Sequence, residues 1–270
     1  MNSPANRQRR RFARRSKAMR RVSGGLALLF ALITAGFLYS ALAPQAGTAV
    51  AAEDDPVAIA AGQQLYNNSC ITCHGANLQG VQGRGPSLIG VGQAATYFQV
   101  STGRMPAADN GAQMPRKEPF FNEEETNQLS AFVQTFGGGP QVPSGSLRND
   151  AEIARGAELY RLNCASCHNF TGKGGALSQG KYAPALDEAT DSQIYAAMLS
   201  GPENMPKFGD GQLTPDDKKA IISYVQNAKA TVDPGGYGLG GFGPVSEGLF
   251  AFLVGMGLIV GVTLWMGARA

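Results

Sequence analysis

Two uncharged apolar runs bracket the chain, Gly24 to Ala43 and Leu249 to Ala268, and between them the hydrophobic positions recur at helical spacing. Each run is twenty residues, enough to cross a bilayer as a helix. The intervening pattern predicts an amphipathic helix over 57–70, with Leu65 and Tyr66 on one face, and another over 151–164, with Leu159 and Tyr160. After each come a Gly/Pro loop, a short helix (near 96–101 and 191–199), an irregular Met-Pro segment and a closing helix. The closing helices start at an N-cap with an acid three residues on, Asn122 with Glu125 and Thr214 with Asp217. No segment alternates as a strand should, so the expected fold class is all-α.

The two halves repeat one another. Gly62-x2-Leu65-Tyr66-x3-Cys70-x2-Cys73-His74 aligns without a gap on Gly156-x2-Leu159-Tyr160-x3-Cys164-x2-Cys167-His168. Pro86 then matches Pro184, Met105-Pro106 matches Met205-Pro206, and Leu129, Phe132, Val133 and Gln134 match Ile221, Tyr224, Val225 and Gln226. The expected organisation is a basic tail (1–21), a transmembrane helix or signal anchor (22–43), a linker (44–56), a first domain (57–137) and a linker (138–150). A second domain (151–230), a Gly-rich linker (231–247) and a transmembrane helix (248–268) complete it. The Gly/Pro/Ser composition of both later linkers favours tethered motion over rigid docking. Domains of about 80 residues are small enough to need a staple.

Charge sharpens the membrane reading. The 270 residues carry a formal net charge of +3, yet nine of the 23 basic residues precede position 22, where there is no acid; beyond it the balance is 14 basic against 20 acidic. Such an arm could contact nucleic acid, but it runs directly into an apolar span, where it marks the cytoplasmic side, and no nucleic-acid partner is expected. The rest would then lie outside the plasma membrane. Ala49-Val50-Ala51 resembles a cleavage site, so a cleaved signal and a retained anchor both fit, with the same sidedness. The second span includes Gly257 and Gly261, a small-xxx-small spacing suited to close helix packing, and should meet a partner subunit.

All four cysteines and both histidines fall inside the two C-x-x-C-H pentapeptides, Cys70 to His74 and Cys164 to His168. This is the attachment signature of haem c: two thiols form thioethers and the adjacent imidazole reaches the iron. A thioredoxin-like pair, a zinc site and two disulfides compete, but none explains why each histidine follows its cysteine pair behind the same Leu-Tyr helix. Two covalently bound haems (iron) are therefore expected, at Cys70, Cys73, His74 and at Cys164, Cys167, His168. With no third histidine, a thioether is the natural second axial ligand, and His/Met ligation raises the potential. Met205 is the candidate in the second half, Met198 being placed in a helix core. In the first half Met105 and Met114 both precede proline. Met105 is preferred because it follows the short helix as Met205 does, which puts an insertion between Met105 and Phe121. Pro86 and Pro184 stand where a carbonyl would orient the ligand histidine, though each could equally be an ordinary loop proline.

With these residues in place, the chain resembles the dihaem cytochrome c subunit of the actinobacterial cytochrome bc1 complex. The likeness covers basic tail, first span, both C-x-x-C-H domains, Ser101-Thr-Gly-Arg-Met105-Pro106, Gly-rich link and closing span. It implies two tandem class I-type cytochrome c domains with flanking transmembrane helices, in a multi-pass protein with its haem domains outside. It also implies a role as electron-transfer subunit of a quinol–cytochrome c reductase (a translocase of the respiratory chain) that takes electrons from the Rieske and cytochrome b subunits and delivers them to a terminal oxidase. No substrate chemistry is expected at its own haems. The alternative class is a dihaem oxidoreductase, a peroxidase or sulfur-compound dehydrogenase. That would need an open iron and a nearby acid/base group, and no spare histidine or cysteine offers one.

Overall fold

The computed structural model describes residues 25–34, 55–108, 111, 113–231 and 244–269. It divides into two compact units, Met1–Gly47 and Thr48–Ala270. Of the first unit, Gly25–Thr34 (α1) is described: an apolar helix with every residue exposed. The basic tail, the remainder of the expected first span and the cleavage-like Ala49 to Ala51 lie outside the described residues.

The second unit begins with α2 (Pro56–Ser69), started by Pro56 and by Asp55, whose carboxylate accepts the Val57 N–H at 2.9 Å. There follow α3 (Ile71–His74), α4 (Gly92–Ser101), α5 (Glu123–Gln134), a 3-10 turn at Asp150–Glu152, α6 (Ile153–Asn163), α7 (Ala165–His168), α8 (Asp191–Ser200) and α9 (Pro215–Ala230). Both expected capping boxes form. Asn122 and Glu125 exchange bonds of 2.9 Å at the start of α5, and Thr214 and Asp217 do so at 3.2 Å at the start of α9. A third, Thr190 with Gln193, opens α8.

In each half the first and last helices cross, α2 on α5 and α6 on α9. The crossings depend on glycine: a Cβ at Gly62 would sit 2.0 Å from the Gln128 carbonyl oxygen, and one at Gly156 would sit 2.0 Å from that of Ala220. Tyr66, Leu78, Leu129, Phe132 and Val133 pack beneath the first crossing, and Tyr160, Leu213, Ile221, Ile222 and Val225 beneath the second.

Three expectations need correction. The described fold is mostly helical rather than all-α, since β1 (Gly175–Ala176) and β2 (Tyr182–Ala183) form an antiparallel ladder of two residues each, too short to show as alternation. The short helix of the first half begins at Gly92, not near Thr96. Its start is held by partners remote in sequence, with Gln93 N–H donating to Gln134 Oε1 at 2.6 Å and Ala94 N–H to the Pro140 carbonyl at 2.9 Å. The segment 138–150 is no loose tether. Val142 and Leu147 are buried in one cluster with Ala94, Tyr97 and Phe98 of the first half and Tyr195 and Ala196 of the second. Val142 N–H donates to Gln93 Oε1 (3.0 Å) and Asn149 N–H to Ser223 Oγ (2.8 Å), and α4 packs on α8. Burial of that apolar surface joins the halves directly.

The last described element, α10 (Pro244–Gly267), is long and apolar enough to cross a membrane over Ser246–Gly267, 22 residues of mean hydropathy 2.3. It starts slightly before the expected span and takes in Glu247, an acid suited to a helix N-terminus. Most of the Gly-rich link before it lies outside the described residues.

Candidate haem-binding sites

The same backbone device presents the chemistry in each half. The first helix ends at the leading cysteine, whose N–H returns to the tyrosine carbonyl one turn back at 2.8 Å, Cys70 to Tyr66 and Cys164 to Tyr160. One further helical turn, α3 or α7, carries the second cysteine and the histidine, so all three groups leave a single turn of chain. The residue after the histidine takes positive φ, Gly75 at 80° and Asn169 at 66°, and turns the chain back. Its carbonyl is pinned by the helix tyrosine: Tyr66 Oη donates to Gly75 O at 2.7 Å and Tyr160 Oη to Asn169 O at 2.9 Å. The tyrosine that precedes each motif in sequence thus has a mechanical role.

Each imidazole is oriented by proline. His74 Nδ1 lies 2.8 Å from the Pro86 carbonyl oxygen and His168 Nδ1 lies 2.9 Å from that of Pro184. A carbonyl accepts only, so Nδ1 carries the proton and donates, which leaves Nε2 as the unprotonated nitrogen, with its lone pair available to a metal. Burial lowers the His168 pKa, the Pro184 bond opposing it in part. Burial, with the neighbouring cysteine adding to it, pushes the Cys70 thiol up to about 11 and the Cys164 thiol up to about 12. Such thiols are protonated and poor nucleophiles, unlike a thioredoxin-type cysteine. None of the four cysteines is in a disulfide, and among the described residues no group of three or more His, Cys, Asp or Glu is placed to hold a metal ion by itself.

In the second half Cys164, Cys167, His168 and Met205 line one cleft with about 1220 Å³ of atom-free space, part of it open to solvent. Its walls include Leu186, Ile194, Met198 and Phe208. A macrocycle with thioether attachment, a nitrogen ligand and a sulfur ligand fits that donor set: two thiols and an imidazole from one turn, a thioether from a separate loop, and an apolar wall. Met198 is buried in the helical core as expected. In the first half Met105 and Cys70 pack against one cluster, that of Leu78, Val100 and Phe121. The backbone N–H of Met114 instead donates to Glu203 Oε1 of the second half at 2.7 Å.

That last bond belongs to a feature sequence reasoning missed. The insertion after Met105 crosses onto the second half, where Gln113 exchanges two bonds with the Tyr182 backbone (2.6 and 3.1 Å) and Arg116 pairs with Glu188 at 3.0 Å. Phe98, Arg104, Gln113 and Arg116, all from the first half, line the second cleft. The extra length between Met105 and Phe121 was its only signal.

Comparison with known proteins matches residues 59–137 to the cytochrome c family model and residues 151–225 to that of cytochrome c oxidase, cbb3-type, subunit III. The cytochrome bc1 complex cytochrome c subunit of Mycobacterium tuberculosis is 54% identical over 263 residues, covering 95% of this chain and 94% of the relative. This chain belongs to that family. The corresponding subunit of Corynebacterium diphtheriae is 52% identical over 272 residues, 95% of this chain and 97% of the relative. A more remote relative, the cbb3-type cytochrome c oxidase subunit FixP of Sinorhizobium medicae, is 26% identical over 57% of this chain and 56% of its own length. Membership makes the protein the cytochrome c subunit of a bc1 complex, which implies electron transfer; its two cytochrome c domains imply covalently bound haem c, and α10 fits a membrane anchor.

Proposed function

We propose that this chain is a membrane-held, dihaem electron relay between the Rieske and cytochrome b subunits of a quinol-oxidising complex and a terminal oxidase. In this reading Cys70 and Cys73 would hold one haem c and Cys164 and Cys167 the other, with His74 and Met105, and His168 and Met205, as the residues that would ligate the irons. The observation that carries it is the second cleft, where His168, oriented by Pro184, and Met205 share one apolar cavity with both thiols. Haem iron held there exchanges one electron between its ferric and ferrous states.

The chain's own residues do the rest. The Pro86 and Pro184 carbonyls fix the orientation of each imidazole. Met105 and Met205 would each supply a thioether to the iron, which would leave no open place for substrate. Met114 is assigned no ligand role, because its segment is tied to Glu203 of the second half. The spans 22–43 and 248–268 hold the haem domains at the outer face of the plasma membrane, beside the partners they serve.

The test is carbon monoxide binding by the reduced complex purified in mild detergent. Read in the c-type haem absorption bands, which are distinct from those of any oxidase haem present, wild type should not bind it readily; Met205→Ala and Met105→Ala should each open one c-type haem, and Met114→Ala neither. Ready binding by wild type would end the relay reading, and an opened haem in Met114→Ala would overturn the assignment of Met105.

A further inference from the structure

Four residues of the first half line the cleft of the second, and three of them are already engaged or apolar. Phe98 is a wall. Gln113 is held at both ends by the Tyr182 backbone. Arg116 spends Nε on Glu188 Oε2 (3.0 Å), Nη1 on Gln193 Oε1 (3.1 Å) and Nη2 on the Glu188 carbonyl (3.2 Å).

Arg104 differs. It is 7% exposed, its guanidinium lies 4.9 Å from the centre of the Phe98 ring, and its Nη1 has no hydrogen-bond partner. The nearby carboxylate of Glu203 accepts the Met114 N–H, and no ion pair of Arg104 with it forms. A buried guanidinium nitrogen facing a cavity without an acceptor is costly and rare in native proteins. The chemistry that satisfies it is a planar anion with two oxygens, which matches the guanidinium fork.

We propose that Arg104, a residue of the first half, binds a propionate carboxylate of the haem held by the second half. The inference rests on the reading that the second half holds haem. Its consequence lies in the neighbouring residue. Met105 packs in the first half's own cluster, so one peptide bond joins a cofactor-binding residue of one site to the axial ligand of the other. The two haems are thereby coupled through the Arg104–Met105 loop as well as through space.

The experiment is a spectroelectrochemical titration of the purified complex carrying Arg104→Gln or Arg104→Lys, with the second haem's wave identified by its displacement in Met205→His. Removing the cation leaves the propionate charge uncompensated and disfavours the reduced form. The second haem's potential should fall in Arg104→Gln, shifting the electron-sharing equilibrium between the haems by about tenfold, the scale of one charge-assisted hydrogen bond. Arg104→Lys should recover part of the shift. The near-infrared absorption band that reports methionine sulfur on ferric iron should persist at both haems.

An unshifted second wave overturns the proposal. So does loss of the first haem's methionine band, which would make Arg104 a brace for its own loop. A wild-type potential that moves when chloride is exchanged for phosphate at constant ionic strength would also overturn it, since the occupant would then be a solution anion. Haem counted per chain as the pyridine haemochrome separates the two levels: fewer than two sinks the dihaem reading, and two with an unshifted wave sinks only the role of Arg104.

Discussion

Gly156→Ala puts the helix crossing under direct test. The added Cβ would lie 2.0 Å from the Ala220 carbonyl oxygen, 2.5 Å from its carbon and 3.1 Å from the Ile221 nitrogen, whereas ordinary contact begins near 3.4 Å. All three atoms are backbone, so no side chain can swing aside and α6 and α9 must part by about 1.4 Å. Alanine in a helix interior gains about 1 kcal/mol over glycine, while overpacking a tight contact costs about 1–3 kcal/mol and sometimes more. The backbone nature of this contact places it at the upper end, for a net loss of about 2 kcal/mol. For two halves joined through one core that lowers the melting temperature by roughly 4–8 °C. Circular dichroism of the haem absorption band against temperature, in the purified complex, reads the change; the exposed α6 substitution Glu158→Ala should stay within about 0.5 kcal/mol of wild type. If Gly156→Ala melts at or above wild type while Glu158→Ala is neutral, helix propensity outweighs contact at this crossing and the steric account is wrong.

Tyr160→Phe deletes the hydroxyl that pins Asn169 and should destabilise the second half by about 0.5–1.5 kcal/mol, with a melting shift larger than that of the surface variant Tyr182→Phe; equal shifts would show that the pin carries nothing. Lys218, fully buried, donates to Asp210 (2.6 Å) and to the Leu213 carbonyl (2.8 Å). Lys218→Met strands that carbonyl and should cost about 1–3 kcal/mol in denaturant unfolding, and a variant as stable as wild type would contradict it. The Thr214 hydroxyl, with its own N–H and Arg155 helping, holds the Asp217 carboxyl below its ordinary value. A depressed carboxylate contributes stability above about pH 4 that fades as pH falls through the folded value. Asp217→Asn should therefore flatten the acid limb of a stability–pH profile, and an unchanged limb would place the acid sensitivity elsewhere. Finally, a subunit held in the membrane beside its partners needs little electrostatic steering. On the proposed relay function, electron flow to a terminal oxidase should then vary little with ionic strength, and a steep fall with salt would favour a diffusing carrier.

What was legible in sequence was whatever the repeat states twice. The two C-x-x-C-H turns, the Leu-Tyr helices before them and the capping boxes at Asn122 and Thr214 are local features whose physics is contained in a few neighbouring residues. Gly62 and Gly156 appeared in the alignment, but their reason, a carbonyl of a helix some 65 residues away, needs the fold. Pro86 and Pro184 were ambiguous for the same cause, because a proline carbonyl becomes a histidine partner only when the loop closes. The start of α4 escaped because Gln134 and Pro140, not a capping residue, support it. The linker misled through composition. Its glycines and prolines suggested freedom, while Val142 and Leu147, two apolar residues among them, were enough to fasten it. Arg104 and Arg116 were invisible as parts of the second cleft, since they do not lie in the half they serve.

The insertion between Met105 and Phe121 makes the two copies unequal, and that bears on how such a protein can evolve. Identical tandem copies could be lengthened by adding a third behind the second, as solenoid repeats are. Here each copy that hosts a neighbour must first grow an arm to reach it, and the corresponding stretch of the second copy, from Met205 to Leu213, is far shorter. The order of the copies is therefore directional: exchanging them would leave the arm with nothing to close, and duplicating the last would add a module whose cleft lacks its borrowed arginine.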